Sequence, residues 1–387
     1  MTPPSTTADL LETARRIGVD VAGPAAAAVD REGRFPREAV AALREAGLLG
    51  ALVPQELGGR GAGIGELAAV AETLGRFCAS TAMIYAMHQV EVACLVRHGL
   101  TSPYIRSYLT ELVEQNFLIA SATSEMGVGG DLRRSVCAVE CRQGRIRVTK
   151  CAPVISYGEE ADDILLTARR APDAAASDQV LVLVHKADVR LTRTGDWDAL
   201  GMRGTRSFSF SLEAQGLVDQ VVPVPFADIA SRTMVPFSHV LWASLWLGVA
   251  SDAVSRARAF VRAEARRTPG TTPAGALRLA ETVADLGSLR ATVRQGREDF
   301  ERRQDDADAL AELSFAIRMN NLKSGAAKMA PQVVAQALGV CGISGYRYDS
   351  PYGVGRHLRD VYSAPLMINN DRVLLANAAM LMISKDE

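Results

Sequence analysis

Hydrophobic periodicity changes twice along this chain, and that double change limits its fold more than any other feature. From Ala8 to about Gln115 apolar residues return every three or four positions, as in Leu10, Leu11, Ala14 and Ile17, with Arg15 and Arg16 opposite. Such spacing lays one apolar stripe along a helix. Helices are expected from Phe35–Pro36 through Leu48, from Ile64 to Leu74, from Thr81 to His98 and from Tyr104 to Glu114. After Phe117 the period falls to two. Ala138–Cys141, Ile146–Thr149, Ile164–Thr167, Val180–Val184 and Phe208–Leu212 are short alternating or β-branched runs, parted by Gly, Asp or Pro turns. That is the pattern of a small β unit. From Phe237 the helical period resumes, over about 238–266, 272–305, 308–338 and 371–384. The stretch from Gly339 to Pro365 is a long Gly- and Tyr-rich connection, which in a compact protein is expected to carry function. The order predicts a mainly α protein with a central β-domain, divided into residues 1–117, 118–231 and 232–387.

Composition narrows the function classes. A chain of 387 residues with 48% hydrophobic content packs as two or three units and is not disordered. Lys and Arg number 43 against 44 Asp and Glu, a net charge of −1. Without a basic surplus, nucleic acid is not an expected partner. Six cysteines stand at 78, 94, 137, 141, 151 and 341, with no Cys-x-x-Cys pair and no His at zinc-ligand spacing. They read as reduced core residues of a cytoplasmic protein, and no metal site is expected. Met1–Asp9 is polar and Pro-rich, so no secretory leader is expected there. The longest apolar run, Val240 to Ala250, is too short to span a bilayer.

The chemistry-bearing motif is Ser124-Glu125-Met126-Gly127-Val128-Gly129-Gly130-Asp131. Three glycines in four residues let backbone approach a flat or charged ligand with no Cβ in the way. On its own such a cluster is more often an ordinary turn. Its company gives it weight. Phe35-Pro36-Arg37-Glu38 leads into Leu43-Arg44-Glu45-Ala46-Gly47-Leu48-Leu49-Gly50, followed by Val53-Pro54 and Gly58-Gly59. Leu200-Gly201-Met202-Arg203-Gly204-Thr205-Arg206-Ser207, Ala265-Arg266-Arg267-Thr268-Pro269-Gly270 and Gln336-Ala337-Leu338-Gly339-Val340-Cys341-Gly342 follow in order. Together the five segments resemble the acyl-CoA dehydrogenase superfamily over nearly the whole chain. The loop is similar to that family's Thr-Glu-Pro-Gly-x-Gly-Ser-Asp, with Ser124, Met126 and Gly130 as departures.

The resemblance implies an N-terminal helical domain, a small β-barrel or sheet domain and a C-terminal four-helix bundle. It implies FAD bound between the β-domain and the C-terminal helices, in a homodimer or homotetramer. Thr123 and Ser124 would meet the pyrimidine edge of the flavin, with Gly129 and Gly130 in the same loop. Ser156, after Ile155, would lie near N5, where its hydroxyl can donate a hydrogen bond. Val154 stands where the family usually has a stacking Trp. Arg266 would meet the pyrophosphate together with Gln336 and Gly339 of a partner subunit, since guanidinium matches phosphate geometry. Without the resemblance, Arg266 reads as a solvated helix-end charge beside Arg262 and Arg267.

Desaturation of an acyl thioester requires a base for a weakly acidic α-proton. The family's usual Glu follows an Arg-Asp pair. Here that pair is Arg359-Asp360, and alternative alignments put Ile368 or Pro365 at the Glu position, neither of which takes a proton. Candidate replacements are Asp371, His239 and His88. Each also has a plain structural role available, as a helix cap or a satisfied buried imidazole. Three functions stay open. One is an FAD-dependent dehydrogenase of an acyl group on CoA or a carrier protein, passing electrons to an acceptor flavoprotein. A second is a flavin monooxygenase fed by a flavin reductase, and a third is a catalytically impaired flavoprotein partner.

Overall fold

Six helices form the first block of the computed structural model, which describes residues 7–384: α1 (Thr7–Ile17), α2 (Gly23–Glu32), α3 (Arg37–Glu45), α4 (Ile64–Gly75), α5 (Ala79–His98) and α6 (Pro103–Gln115). Local chemistry sets their ends. Ser102 caps α6 through the Ile105 amide, Pro103 starts the helix, and Asn116 closes it in the left-handed conformation. Helix α2 escapes the sequence reading, because its alanine run carries no apolar stripe. Helix α5 is buried almost throughout and carries Ser80, Thr81, Tyr85, His88, Gln89 and Glu91 into the interior.

The middle of the chain folds into two sheets. Strands β1 (Ile119–Ala122), β2 (Glu140–Arg142), β3 (Arg145–Ile155), β4 (Asp163–Arg169), β5 (Gln179–His185), β6 (Val189–Gly195) and β7 (Phe208–Leu217) supply them. One sheet runs β1-β4-β5, with β1 parallel to β4 and β4 antiparallel to β5. The other runs β2-β3-β7-β6 and is antiparallel throughout. Strands β4 and β5 are covered on both faces, which explains their unbroken apolar runs. Strand β3 alternates exposed and buried residues, the signature of a sheet with one wet face.

The remaining helices are α7 (Phe226–Ile229), α8 (Val235–Arg267), α9 (Ala276–Arg303), α10 (Ala307–Ala311), α11 (Leu313–Cys341), α12 (Ile343–Tyr346), α13 (Gly355–Val361) and α14 (Asn370–Leu381). Helical structure begins at Phe226, just after Pro225, ahead of the expected boundary at 232. The helical run Phe226–Arg267 holds a window long and apolar enough to cross a bilayer, yet 94% of that window is buried inside the protein. It is the central core helix. The Gly339–Pro365 connection contains two short helices, α12 and α13, that its glycines and tyrosines concealed.

The three regions converge on one residue. Asp30 of α2 offers its carbonyl to Arg203 Nε at 2.8 Å, from the turn before β7. Its carboxylate takes both terminal nitrogens of Arg359 on α13. A bidentate guanidinium–carboxylate pair fixes orientation as well as distance.

Candidate functional site

Two buried charges hold the glycine-bearing loop. The Glu125 carboxylate accepts from the Ser135 hydroxyl and from the Cys137 amide, each at 2.6 Å. Lys150, fully buried on β3, lies 3.9 Å from the same carboxylate. Its ammonium donates to the Thr167 carbonyl at 2.7 Å and to the Thr167 hydroxyl at 2.9 Å. That hydroxyl in turn donates to the Thr123 carbonyl at 3.3 Å. Burial pulls the Lys150 pKa down, and the neighbouring Glu125 opposes it. A lone Lys and a lone Glu carry no signal in sequence, so this anchor could not be read there.

The loop is thereby set against the end of β3. The Ser124 hydroxyl donates to the Val154 carbonyl at 2.7 Å, and the Met126 amide to the Cys151 carbonyl at 2.9 Å. Thr123, Ser124, Ile155 and Ser156 are therefore brought together. Ile155 is fully buried beside them. Val154, at the position of the expected stacking ring, is 40% exposed. Gly129 and Gly130 have φ of 60° and 77°, a left-handed conformation that favours glycine.

Ser156 ends a line of hydroxyls. Its Oγ lies 2.8 Å from Ser207 Oγ, which lies 2.7 Å from Thr205 Oγ1, which reaches the Met202 carbonyl at 2.8 Å. One proton per hydroxyl leaves two consistent arrangements. If Thr205 donates to Met202, the line runs inward and Ser156 Oγ is left to accept from a ligand. If the line reverses, the Ser156 hydroxyl is left to donate to a ligand. The Met202 carbonyl loses little by reversal, because it also accepts from the Trp197 indole at 3.1 Å. The neighbouring Met202 amide donates to Asp360 at 2.8 Å, and burial pushes that carboxyl up to about 6.

The corner opposite the loop is built from α14, α11 and α8. Arg372, in the first turn of α14, lies against Gly129 and Gly130. Asp371 precedes it and is exposed, with its amide capped by Asn369 Oδ1 at 2.8 Å. Just upstream, Ile368 adopts φ 45°, a costly conformation for a β-branched residue. Its carbonyl accepts from Lys323 of α11 at 2.6 Å, and Asn370 Oδ1 accepts from the same ammonium at 2.7 Å. Lys323 is fully buried, and burial pushes its pKa down to about 8. His239 of α8 donates from Nδ1 to the Met319 carbonyl at 3.0 Å, which leaves Nε2 as the lone-pair nitrogen. Burial, reinforced by the Lys323 charge, pushes this imidazole down to about 3.

His88 is placed differently. The Ile119 amide donates to its Nδ1, and its Nε2 meets the Leu49 carbonyl, both at 3.0 Å. Both ring nitrogens are thus spent on backbone, bracing α5 between the first block and β1. The imidazole is fully buried and pushed down to about 4 by that burial.

The residues expected at the pyrophosphate lie at the far end of the bundle. Gly339 lines a cavity of about 560 Å³ with Thr268, Thr272, Arg278 and Gly342, between the end of α8, the start of α9 and the end of α11. No strand contributes to its lining. The space beyond Gly339 is open. Gln336 donates to Asp285 at 2.7 Å and keeps Oε1 buried without a partner, while Arg266 is exposed.

These residues fit a flavin. The loop closes onto β3 around a partly exposed apolar side chain, and Ser156 can serve the ring as donor or acceptor. When bound, a flavin supplies two-electron redox chemistry. Among the described residues no cluster suited to a metal ion occurs.

Comparison with known proteins gives the family. Residues 5–116 match the acyl-CoA dehydrogenase N-terminal domain, and residues 230–379 match the C-terminal domain. Cyclohex-1-ene-1-carbonyl-CoA dehydrogenase of Syntrophus aciditrophicus is 26% identical over 361 residues, covering 91% of this chain and 83% of its own. Dibenzothiophene monooxygenase of Mycolicibacterium goodii is 25% identical over 358 residues, covering 86% of this chain and 84% of its own. The FMN-bound structure of TdsC from Paenibacillus sp. A11-2 shares the fold, with a TM-score of 0.81, 19% identity and coverage of 97% and 96%. On these grounds the chain belongs to the acyl-CoA dehydrogenase superfamily, whose members are flavin-dependent oxidoreductases.

Proposed function

We propose that the protein is an FAD-dependent dehydrogenase that desaturates an acyl thioester, delivered on CoA or a carrier protein, with a base that replaces the usual Glu. The observation that carries this reading is the contact of Arg372 with Gly129 and Gly130. That contact ties the first turn of α14, which carries Asp371, to the glycine loop and so supports Asp371 as the base. Of the three candidate bases, Asp371 alone is an accessible carboxylate. His88 has both nitrogens engaged, and His239 is buried beside an ammonium. The likeness to a CoA-thioester dehydrogenase along most of the chain supports the substrate class.

In this reading Thr123, Ser124 and Ser156 would orient the cofactor, and the hydroxyl line lets Ser156 serve it as acceptor or as donor. Lys323 and Asn370 hold the Ile368 backbone in its strained turn, which fixes where Asp371 emerges. Arg266, Gln336 and Gly339 serve the pyrophosphate of a cofactor shared between two subunits, consistent with their distance along the bundle from the glycine loop. An electron-acceptor flavoprotein would then reoxidise the enzyme. The test is anaerobic titration of the FAD-loaded protein with a panel of acyl-CoA thioesters, following loss of flavin absorbance. Bleaching by a thioester supports desaturation, and Asp371→Asn should slow it by a factor of about 100 or more.

A second reading is a flavin monooxygenase, favoured by the absent Glu, the exposed Val154 and the likeness to a dibenzothiophene monooxygenase. It predicts no bleaching by any thioester, with oxygen-dependent product formation once a flavin reductase is supplied.

A further inference from the structure

Helix α5 carries a carboxyl group that the desaturation reading leaves unused. Glu91 lies one turn past His88, on the face of α5 that meets β1. His88 accepts from the Ile119 amide, and the hydroxyl of Ser121, two residues further along the strand, is near enough to Glu91 to favour its carboxylate form. The side chain is 2% exposed, and its Oε2 has no hydrogen-bond partner. The groups that act on it or feel its charge are Ser121 from β1, Tyr157 from the turn after β3, and Cys94 from α5 itself. None of them is a cation at neutral pH. Tyr157 is already committed, donating to the Ile119 carbonyl at 3.1 Å.

A buried polar atom left unpaired costs roughly 1–3 kcal/mol, so an acid kept in such a place calls for a role. Burial pushes this carboxyl up to about 8, with the Ser121 hydroxyl opposing. The acid therefore holds its proton at neutral pH. The path out of the core is short. Ser121 is partly exposed, and its Oγ lies 3.4 Å from Thr123 Oγ1. Thr123 is the residue assigned above to the pyrimidine edge of the flavin.

We propose that Glu91, Ser121 and Thr123 form a proton relay from the interior of α5 to the edge of the bound flavin. Glu91, acting through two hydroxyls, is a positioning residue that sets when a proton is available there. The proposal rests on the flavin reading and is indifferent to which substrate is oxidised. When the ring gains two electrons, from a substrate hydride or from dithionite, its edge becomes more basic. Thr123 gives up its hydroxyl proton there and takes one from Ser121. Ser121 takes one from Glu91, whose O–H bond breaks to leave a carboxylate. Reoxidation returns the proton along the same line. The 3.4 Å step is the long one, as hydrogen bonds of a site often are before a ligand fills it.

The test uses the flavin-loaded protein, reduced anaerobically with dithionite over a pH series. In the wild type, the slope of midpoint potential against pH and the reduced-flavin spectrum should both change near pH 8. Glu91→Gln should bind flavin and melt normally but lose that change. Ser121→Ala should also lose it. The infrared C=O band of a protonated carboxyl, recorded on flavin-free protein at neutral pH, should vanish in Glu91→Gln and persist in Ser121→Ala. An unchanged pH dependence in either variant overturns the relay, as does absence of the band from the wild type. A protein that takes up neither FAD nor FMN overturns the flavin reading and the relay with it.

Discussion

Arg372 lays its guanidinium over Gly130, in the space that a side chain at that position would need. The last helix thus reads the glycine loop by contact, and the loop reads the helix. Restoring the family's serine by Gly130→Ser should push the guanidinium aside and strain a backbone held at φ 77°. A cost of about 1 kcal/mol in stability is expected, with weaker flavin retention. Thermal melting and flavin absorbance after gel filtration would check both.

His88 should govern acid stability. Its folded pKa of about 4 lies below the unfolded value of 6.5. Between these values the unfolded chain binds a proton that the folded imidazole refuses. Stability is complete above pH 6.5 and falls as pH drops toward 4, by about 3 kcal/mol from this group alone. Replacing His88 with Leu should cost about 1–3 kcal/mol at neutral pH, by stranding the buried Ile119 amide, whereas the Leu49 carbonyl keeps its bond from Gln89 Nε2 at 3.0 Å. The same replacement should flatten the acid limb, which denaturant titrations at several pH values would measure.

Lys150→Met should be the most damaging change near the loop. It removes the donor to Thr167 and leaves Glu125 buried without its counter-charge, at a cost of about 3–5 kcal/mol. Adding Glu125→Gln should restore part of that loss, because the two residues are coupled. Urea midpoints of the two single variants and the double variant would show the coupling.

Ser207→Ala should interrupt the hydroxyl line while leaving Ser156 in place. With its reversal lost, Ser156 can no longer serve both states of the ring equally well. A penalty of about 1.4 kcal/mol, or tenfold in the rate of flavin reduction, is expected with little change in melting temperature. Stopped-flow reduction would separate this from a general loss of fold.

The helix–sheet–helix order was legible because a change of period is a property of many residues at once. Strand β6 was not, because Val189-Arg190-Leu191-Thr192-Arg193 lies mostly exposed at a sheet edge and buries too few side chains to show a face. The loop at Ser124 stood out by its glycines, while the Ile155-Ser156 pair drew attention only through the resemblance to the family. Glu91 and Lys150 were invisible for one shared reason. A single charged residue in a helix or strand reads as solvated until the fold shows that water cannot reach it. His88 is the reverse case, since its histidine chemistry drew attention in the sequence that its two backbone hydrogen bonds now account for.

The meeting of Arg203 and Arg359 at Asp30 bears on how such proteins can be recombined. A chimaera that exchanges the strand-rich middle with a relative's would keep its sheets but bring a foreign turn to the first helical block. Unless that turn presents an arginine to the Asp30 backbone carbonyl, only the carboxylate's pair with the last block would remain, and the graft would sit askew. Exchange of the middle of this chain therefore meets a lock that spans all three regions, and one small acidic residue is its keyway.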